Sequence, residues 1–443
     1  MTDAPGITGL LNVFQMNKTA REATHEFIDD LWQRFGDVAQ VGVGPLTLIV
    51  LARAEHVKHV LVTERKKYIK GRSHDQLRTL LGNGLFTSEG EFWHRQRRLM
   101  APTFTPAAVS QYIADVVAAV EEVLGDLDFE GTRQLDVQPI MTDIAMNIIM
   151  RTMFSSAATD EERIEALQPA LAETLSHVSE RTAAPVINLA TPANRRYRKH
   201  IATIDDFINR IIEERRSSDE QHDDLLGLLM QAREEGQGMT DAQLRDEVLI
   251  TFFAGHETTA QALTFTLYLL AENPVCQRRV RDEIGSVLYG GQPVTPETLD
   301  HLDYTQRVIK EALRLYPPVA MFARDAAEED EIDGYTIPKA AMVMLSQWIT
   351  HRHADYWSEP YAFNPDRWLP GRGEPRHPYA YFPFGSGQRT CLGKSFAEQE
   401  MLIVLALLMA RCTFAPLTGF ELNTEYGGTL RPADGMPLAV TRQ

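Results

Sequence analysis

Apolar residues recur with a helical period along most of the middle of the chain. Between about residues 107 and 315, segments such as AVSQYIADVVAAVEEVLGDL, IMTDIAMNIIMRTMF and IATIDDFINRIIEERR carry apolar side chains at positions i, i+3, i+4 and i+7. This spacing places the apolar side chains on one face of a helix. The pattern therefore predicts an almost uninterrupted series of packed helices over these residues.

The longest predicted helix carries a polar cluster in its middle. Thr240 and Gln243 form a possible capping box at its start, and the helix should end near Asn273, before Pro274. Four consecutive residues interrupt its mostly apolar pattern, namely His256, Glu257, Thr258 and Thr259. Burying a carboxylate without a partner is costly, and such a group usually shifts its pKa or finds a charge. The polar cluster therefore needs an explanation.

Strands are predicted near the two ends of the chain. The segment VAQVGVGPLTLIVLA, interrupted at Gly44-Pro45, predicts a hairpin. The helix in TQRVIKEALRLY stops at Pro317-Pro318, and EIDGYTIPKAAMVMLSQWIT then predicts strands around an Asp-Gly turn. A final helix, KSFAEQEMLIVLALLMARC, follows an irregular segment rich in Pro and Trp. No linker-like segment divides the chain, so we expect one domain over residues 1–443, mainly α with a small β-rich part.

Composition excludes several classes of protein. The chain has 61 acidic and 44 Lys and Arg residues, a net charge of −17, which disfavours general binding to nucleic acid or anionic membranes. Three cysteines do not form a disulfide framework, which indicates a reducing compartment. The N-terminus lacks the pattern of a signal peptide, and the longest apolar run is shorter than the roughly 20 residues of a membrane span. We expect a soluble cytoplasmic protein.

The segment FPFGSGQRTCLGKSFAEQE has the most specific chemistry. Its glycines allow a loop to pass close to a flat or large group. Cys391 precedes the final helix, where free N–H groups and the helix dipole favour a thiolate. A nucleophile needs a nearby base and a zinc site needs more Cys or His ligands, and the segment offers neither. A single thiolate beside a flat pocket suits an axial haem ligand, and the structural alternative is a buried cysteine beside a turn.

This segment resembles the haem-binding signature of the cytochrome P450 family, F-x-x-G-x-R-x-C-x-G, from Phe384 to Gly393 without departures. Three further elements occur in the family's order, namely W-x-x-x-R at Trp93 and Arg97, the oxygen-activation motif in AGHETT, and E-x-x-R at Glu311 and Arg314. The segment FNPDRW resembles the element whose arginine, here Arg367, completes an ion-pair triad. The resemblance covers nearly the whole chain and implies the cytochrome P450 fold.

The resemblance implies haem b (iron protoporphyrin IX) as cofactor, with Cys391 as the axial ligand of the iron. It assigns cofactor binding to Trp93, Arg97, Arg324, Phe384, Arg389, Cys391 and Gly393. The arginines would bind the haem propionates, because a guanidinium pairs with a carboxylate in a bidentate way. Glu311, Arg314 and Arg367 would hold the haem-binding core together. Without the resemblance, Glu311 and Arg314 would be an ordinary i, i+3 pair on a helix.

The resemblance also gives the polar cluster a function. Thr258 and Glu257 would be catalytic, delivering protons during oxygen activation in a site that otherwise stays dry. The structural alternative for Thr258 is a hydroxyl that bonds the carbonyl of Ala254, four residues earlier, which would also distort the helix.

Family loop positions predict the residues that contact substrate, namely Phe86, Ala254, Val319, Ala320, Met321, Phe322 and Gly428. Most of them are apolar, so the expected substrate is lipophilic. The segment Leu46–Leu51 offers no cationic anchor for a carboxylate. This favours a neutral terpenoid or steroid-like compound over a free fatty acid.

The expected function is that of a haem-thiolate monooxygenase that hydroxylates its substrate with O2 and two electrons. The chain ends at residue 443 without a fused reductase, so electrons should come from NAD(P)H through a separate ferredoxin or flavodoxin and its reductase. Arg95, Arg98 and Lys394 are candidate docking residues. The alternatives are a peroxygenase, isomerase or dehydratase that needs no external electrons, and a haem-based sensor. The presence of an acid–alcohol pair favours the monooxygenase.

Overall fold

The computed structural model describes residues 2–8, 24–43, 46–127, 129–155, 167, 170–171, 173–174, 177–178, 191–217, 223–234, 236–371 and 377–442. The α-helices are α1 Thr24–Phe35, α2 Ala54–Lys58, α3 Asp75–Leu81, α4 Gly90–Met100, α5 Pro106–Val109, α6 Ile113–Asp126, α7 Val137–Phe154, α8 Pro192–Ser217, α9 Leu225–Gln231, α10 Asp241–Glu272, α11 Pro274–Val287, α12 Pro296–Asp300, α13 Asp303–Leu315, α14 Gln347–Thr350 and α15 Lys394–Arg411. The strands are β1 Gly6–Thr8, β2 Val38–Val43, β3 Leu46–Leu51, β4 Tyr68–Ile69, β5 Thr132–Asp136, β6 Met321–Ala326, β7 Asp330–Ile332, β8 Tyr335–Ile337, β9 Met342–Ser346, β10 Cys412–Pro416, β11 Thr424–Tyr426, β12 Leu430–Pro432 and β13 Pro437–Arg442. The predicted fold class, mainly helical with small sheets, is confirmed.

Helix α10 lies at the centre of the helical part. Its capping box forms as predicted, since the Thr240 hydroxyl accepts the N–H of Gln243 at 3.3 Å and the Gln243 amide oxygen accepts the N–H of Thr240 at 2.8 Å. Asn273 ends the helix, also as predicted. The helix packs against α7, α13 and α15, so side chains are buried on most of its faces. Any polar group in its middle must therefore find a partner within the protein.

The larger sheet has the order β1-β2-β3-β9-β6-β4 and contains the predicted N-terminal hairpin. Strands β2 and β3 pair antiparallel, with the turn at residues 44–45 outside the described residues. The predicted Asp-Gly turn is confirmed, because Asp333 and Gly334 both have positive φ between β7 and β8. Two-residue turns of this kind match the twist of antiparallel strands.

Two expectations about secondary structure are wrong. The segment TRQLD, inside the region expected to be helical, forms strand β5 and pairs antiparallel with β13 near the C-terminus. The segment QWIT, expected to be a strand, forms helix α14, which the Ser346 hydroxyl caps by accepting the N–H of Ile349. Both differences come from partners that local periodicity does not reveal, namely a distant strand and a capping side chain.

The Glu311 carboxylate lies at the junction between α13 and the irregular segment that follows α14. It accepts hydrogen bonds from Arg314 at 2.8 and 2.9 Å, from Arg367 Nε at 2.9 Å, from Trp368 Nε1 at 3.0 Å and from the backbone N–H of Asn364 at 3.0 Å. The side chains of Glu311 and Arg314 are completely buried. The three residues predicted as an ion-pair triad therefore form one cluster.

Substitution Glu311→Gln should destabilise the protein by about 3–5 kcal/mol, because it leaves two buried guanidinium groups without a counter-charge. Urea unfolding measures this change. The matched control is Asp30→Asn, which breaks the ion pair with Arg34 in which both side chains are 54% exposed. The control should lower the free energy of unfolding by no more than about 1 kcal/mol. Equal costs for the two substitutions would contradict the assigned importance of the cluster.

Candidate active site

The loop before α15 is held in one conformation by its backbone. The N–H of Cys391 donates to the carbonyl of Phe384 at 2.8 Å, and the N–H of Gly385 donates to the carbonyl of Phe382 at 2.9 Å. Gly387 has a φ of +68°, and a Cβ atom there would lie 2.5 Å from the carbonyl oxygen of Leu61. Only glycine fits this position without a shift of the backbone. The loop thus holds Cys391 at a fixed place beside the helix.

The Cys391 side chain is accessible to solvent although protein surrounds it on nearly all sides. Burial raises the pKa of its thiol, and a hydrogen bond from the backbone of Gly393 and the charge of Arg97 act in the opposite direction. The backbone at the helix start therefore favours a thiolate, as expected from the sequence, while desolvation acts against it. A thiolate at this place needs a further positive partner, and a haem iron is one.

A group of cationic side chains lies beside the Cys391 loop. The Arg389 guanidinium lies 3.8 Å from the ring centre of Trp93, and that of Arg97 lies 5.7 Å from it. Arg97 also donates to the carbonyl of Thr390 at 3.0 Å. Arg324 is buried, and burial together with the charge of Arg389 lowers its pKa to about 10. The structure thus brings together the predicted propionate-binding residues Trp93, Arg97, Arg324 and Arg389.

Two further basic residues of this group were not predicted from the sequence. Burial and the charges of Arg324 and Arg389 hold the pKa of Lys70 well below its usual value. Burial and the charge of Lys70 do the same to the pKa of His74. Neither residue belongs to a motif, although the basic content of KGRSH was a visible signal.

The charges in this group are unbalanced. Arg324, Arg389 and Lys70 all interact with the same carboxylate, that of Glu89, which binds Arg389 at 2.5 Å. Buried cations without enough counter-charge are costly, and an anion beside them lowers that cost. A flat group with two carboxylates and a metal would supply counter-charge to the cations and a binding partner to the Cys391 thiolate. The residues present therefore fit haem b.

The polar cluster of α10 has a partner for each of its four side chains. The Thr258 hydroxyl donates to the carbonyl of Ala254 at 2.6 Å, and His256 Nδ1 lies 3.0 Å from the carbonyl oxygen of Phe252. Both are contacts within the helix, which continues through them without interruption. The predicted back-bond of Thr258 is therefore present, while the expected distortion does not break the helix.

The other two side chains of the cluster reach other parts of the fold. The Glu257 carboxylate accepts a hydrogen bond from the hydroxyl of Thr429 at 2.6 Å, in the turn between β11 and β12. Thr259 forms a hydrogen bond with Glu400 on α15, whose pKa burial raises well above its usual value. The sequence predicted neither Thr429 nor Glu400 as a partner. Glu400 interrupts the apolar pattern of the last helix, which was the only local signal.

The predicted substrate-contacting residues fall into two groups. Accessible side chains or backbone occur at Phe86, Ala254, Val319, Phe322 and Gly428. Ala320 and Met321 are instead buried in the main core. Ala320 is completely buried because its carbonyl accepts the N–H of Trp348 and holds the chain against α14. The structure therefore does not place these two side chains with the accessible group.

The family model for cytochrome P450 matches residues 3–438 of this chain. The chain belongs to the cytochrome P450 family. It is 36% identical over 392 residues to cyclooctat-9-en-7-ol 5-monooxygenase of Streptomyces melanosporofaciens, a match that covers 87% of this chain and 84% of that protein. It is 32% identical over 379 residues to pentalenene oxygenase of Streptomyces avermitilis, with 85% and 84% covered.

Solved structures agree with this assignment of a P450 fold. The haem domain of cytochrome P450DA superposes with a TM-score of 0.91 at 27% identity, over 100% of this chain and 98% of that chain. A cyanobacterial cytochrome P450 with bound retinoic acid superposes with a TM-score of 0.88 at 24% identity, over 100% of both chains, which supports the fold.

The protein is a cytochrome P450 monooxygenase, an enzyme that uses haem and reducing electrons. Among the described residues of this P450, no helix is both long and apolar enough to cross a membrane.

The loop that carries Phe86 of this P450 is attached to α10 by two acidic residues. Asp246 accepts the N–H of Asn83 at 2.8 Å, and Glu247 accepts the N–H of Leu85 at 2.9 Å. Glu247 is completely buried, and burial raises its pKa to about 8. The folded protein therefore holds a proton on Glu247 at neutral pH, which the unfolded chain releases.

The raised pKa of Glu247 should make the P450 less stable as the pH rises. Between about pH 5 and pH 8 the folded state binds one proton more than the unfolded chain, so the free energy of unfolding falls by up to about 1.4 kcal/mol per pH unit. Glu247→Gln keeps the acceptor for Leu85 and removes the titration, so its stability should fall less steeply. Urea unfolding of both proteins at several pH values tests this. If the free energy of unfolding falls equally steeply with pH in the wild type and in Glu247→Gln, the prediction is wrong.

Proposed function

We propose that this P450 hydroxylates a neutral, lipophilic terpenoid or steroid-like substrate with O2 and two electrons from a separate redox partner. The observation that carries the proposal is the placement of Cys391, at the end of a constrained loop and beside a cluster of cations that share one carboxylate. This donor set is the chemistry that haem b requires.

When bound, the haem supplies the reduction and cleavage of O2, which a thiolate ligand promotes by donating electron density. Cys391 would hold the iron. Arg97, Arg324 and Arg389 would hold the propionates, and Trp93 packs against the guanidinium groups of Arg97 and Arg389. Burial and the charge of Arg389 lower the pKa of Arg324, which supports a site where an added negative charge would be stabilising.

Glu257 and Thr258 deliver protons to the oxygen side of the site. Thr258 lies on the accessible side of α10, one turn beyond Ala254, and its hydroxyl can donate to a water in the site while remaining near the Ala254 carbonyl. Glu257 is partly accessible and can exchange protons with solvent. A positioned acid and alcohol of this kind contribute to rate by general acid catalysis.

The accessible residues favour a neutral substrate. Phe86 and Phe322 are aromatic, and Ala254 and Val319 are small and apolar. Strand β3 carries no cationic side chain that would anchor a carboxylate. The two Streptomyces relatives are named for an alcohol and a hydrocarbon, cyclooctat-9-en-7-ol and pentalenene. These observations support a neutral terpenoid or steroid-like compound over a fatty acid.

Electrons come from NAD(P)H through a ferredoxin or flavodoxin with its reductase, and the partner docks near the Cys391 side. Of the predicted docking residues, Arg98 pairs with Glu234 at 2.5 Å and Arg95 lies 3.7 Å from the same carboxylate. Lys394 lies 3.9 Å from Glu398 and remains half-exposed. Lys394 is therefore the least neutralised of the three cations and the first residue to test by charge reversal.

Cys391 should give the reduced, CO-bound protein a Soret band strongly shifted to the red relative to His-ligated haem proteins, because the ligand is a thiolate. Cys391→His should lose this band and the hydroxylase activity. The free Cys412, which is buried in the core, is the matched control, and Cys412→Ala should keep the band. A Cys391→His protein that keeps the thiolate spectrum would refute the assignment.

Thr258→Ala should leave substrate binding and the CO spectrum intact but divert reduced cofactor to hydrogen peroxide, because the proton donor is no longer positioned. An increase of about 1.4 kcal/mol in the barrier of the productive step slows that step tenfold. Glu257→Gln should slow turnover and enlarge the solvent isotope effect. Thr259→Ala should divert less reduced cofactor to peroxide than Thr258→Ala does. The measurement is product and peroxide formed per reduced cofactor consumed.

The matched control for Thr258→Ala is Thr251→Ala, which removes the same kind of back-bond, 2.8 Å long, from the same helix. This control should form as much product per reduced cofactor consumed as the wild type does. If Thr258→Ala also forms as much product per reduced cofactor as the wild type, the Thr258 hydroxyl has only a structural role.

A further inference from the structure

The hairpin of β11 and β12 is bonded both to the start of β6 and to α10, two elements that carry proposed substrate-contacting residues. Its turn contains Gly428, which is exposed and has a φ of +98°. On one side, the Tyr426 hydroxyl donates to the carbonyl of Met321 at 3.0 Å, and the N–H of Leu430 donates to the carbonyl of Pro318 at 2.8 Å. These bonds attach the turn end of the hairpin, where Tyr426 pairs with Leu430, to the start of β6 and the residues before it.

On the other side, the hairpin contacts α10 through Thr429. The Thr429 side chain is 9% exposed, and its hydroxyl donates to Glu257 Oε1 at 2.6 Å. Hydroxyl–carboxylate bonds of about 2.5–2.7 Å are charge-assisted, and these are about twice as strong as neutral ones. The bond joins a residue of the pocket wall to the acid that we assign to proton delivery.

We infer that Thr429 is a positioning residue, which sets the orientation of the Glu257 carboxylate and couples it to the hairpin that borders the substrate. This inference rests on the proposed role of Glu257. A carboxylate on α10 without this bond could adopt several rotamers, each with a different path to solvent. The bond selects one of them while Oε2 remains available for a water. A substrate that displaces the turn at Gly428 would therefore also change the orientation of the Glu257 carboxylate.

The contact itself can be measured without turnover, by amide hydrogen exchange in the haem-loaded protein. Thr429→Val keeps the shape of the side chain and removes the hydroxyl. Amides of the hairpin at residues 424–432 should exchange about tenfold faster, the factor expected for loss of one hydrogen bond to a charged group. Thr429→Ser keeps the hydroxyl and should exchange like the wild type. Unchanged exchange in Thr429→Val would overturn the inference.

The positioning role is tested by the solvent isotope effect on turnover and by the peroxide yield. Both should rise in Thr429→Val, about two- to tenfold for the peroxide yield, and return to wild-type values in Thr429→Ser. The spectral change on substrate binding should be preserved. Since Glu257 is the group through which Thr429 acts, adding Thr429→Val to Glu257→Gln should produce little further change.

Thr424→Val is the matched control, because it removes a hydroxyl from the same hairpin. Thr424 Oγ1 lies 2.8 Å from Nε2 of His25 on α1, away from Glu257. This variant should loosen the hairpin but leave the isotope effect and the peroxide yield unchanged. If it raises the peroxide yield as much as Thr429→Val, general loosening explains the result and the inference is wrong.

The inference and the proposed function fail in different ways. A wild-type protein that forms no hydroxylated product with suitable electron donors would refute the proposed function, whatever the exchange of the hairpin. A wild-type protein that hydroxylates its substrate, combined with a Thr429→Val variant of equal peroxide yield and isotope effect, would refute the inference alone.

Discussion

The buried carboxylate of Glu311 is the interaction on which the haem-binding half of the fold depends. It accepts hydrogen bonds from Arg314, Arg367, Trp368 and the backbone of Asn364. Arg314 in turn donates to three backbone carbonyls, those of His351, Pro360 and Ala362. The segment after α14 has little regular structure, so its backbone groups need such partners.

This network also constrains the loop that carries Cys391. His351, whose carbonyl accepts from Arg314, uses its own Nε2 to accept the N–H of Phe382. Phe382 begins the glycine-containing loop, and its carbonyl accepts the N–H of Gly385. Hydrogen bonds therefore connect α13 to the backbone of the loop that carries Cys391. Breaking a buried charge pair is costly because the remaining charge loses its partner, so the geometry of the site and the stability of the fold are linked.

A bound haem would relieve two unfavourable electrostatic features of the site. The Cys391 thiol has a pKa raised by burial, and the pKa values of Arg324 and Lys70 are lowered by burial and by the charge of Arg389. The protein by itself thus disfavours both the thiolate and the full set of cations. A haem held as we propose would bring its iron to the sulfur and its two carboxylates to the cations, which would stabilise both. Such perturbed groups in one place are typical of a functional site rather than a structural one.

The sequence by itself determined the helical class, the caps of α10 and the family, and it predicted Cys391 as the ligand. These follow from local patterns, because periodicity, capping residues and a short loop motif depend on neighbours along the chain. The tertiary structure alone decided the partners of Glu257 and Thr259, the pairing of β5 with β13 and the position of Lys70 in the basic group. These contacts join residues that are far apart in the sequence. Their formation depends on how the helices and hairpins pack, which no local pattern encodes.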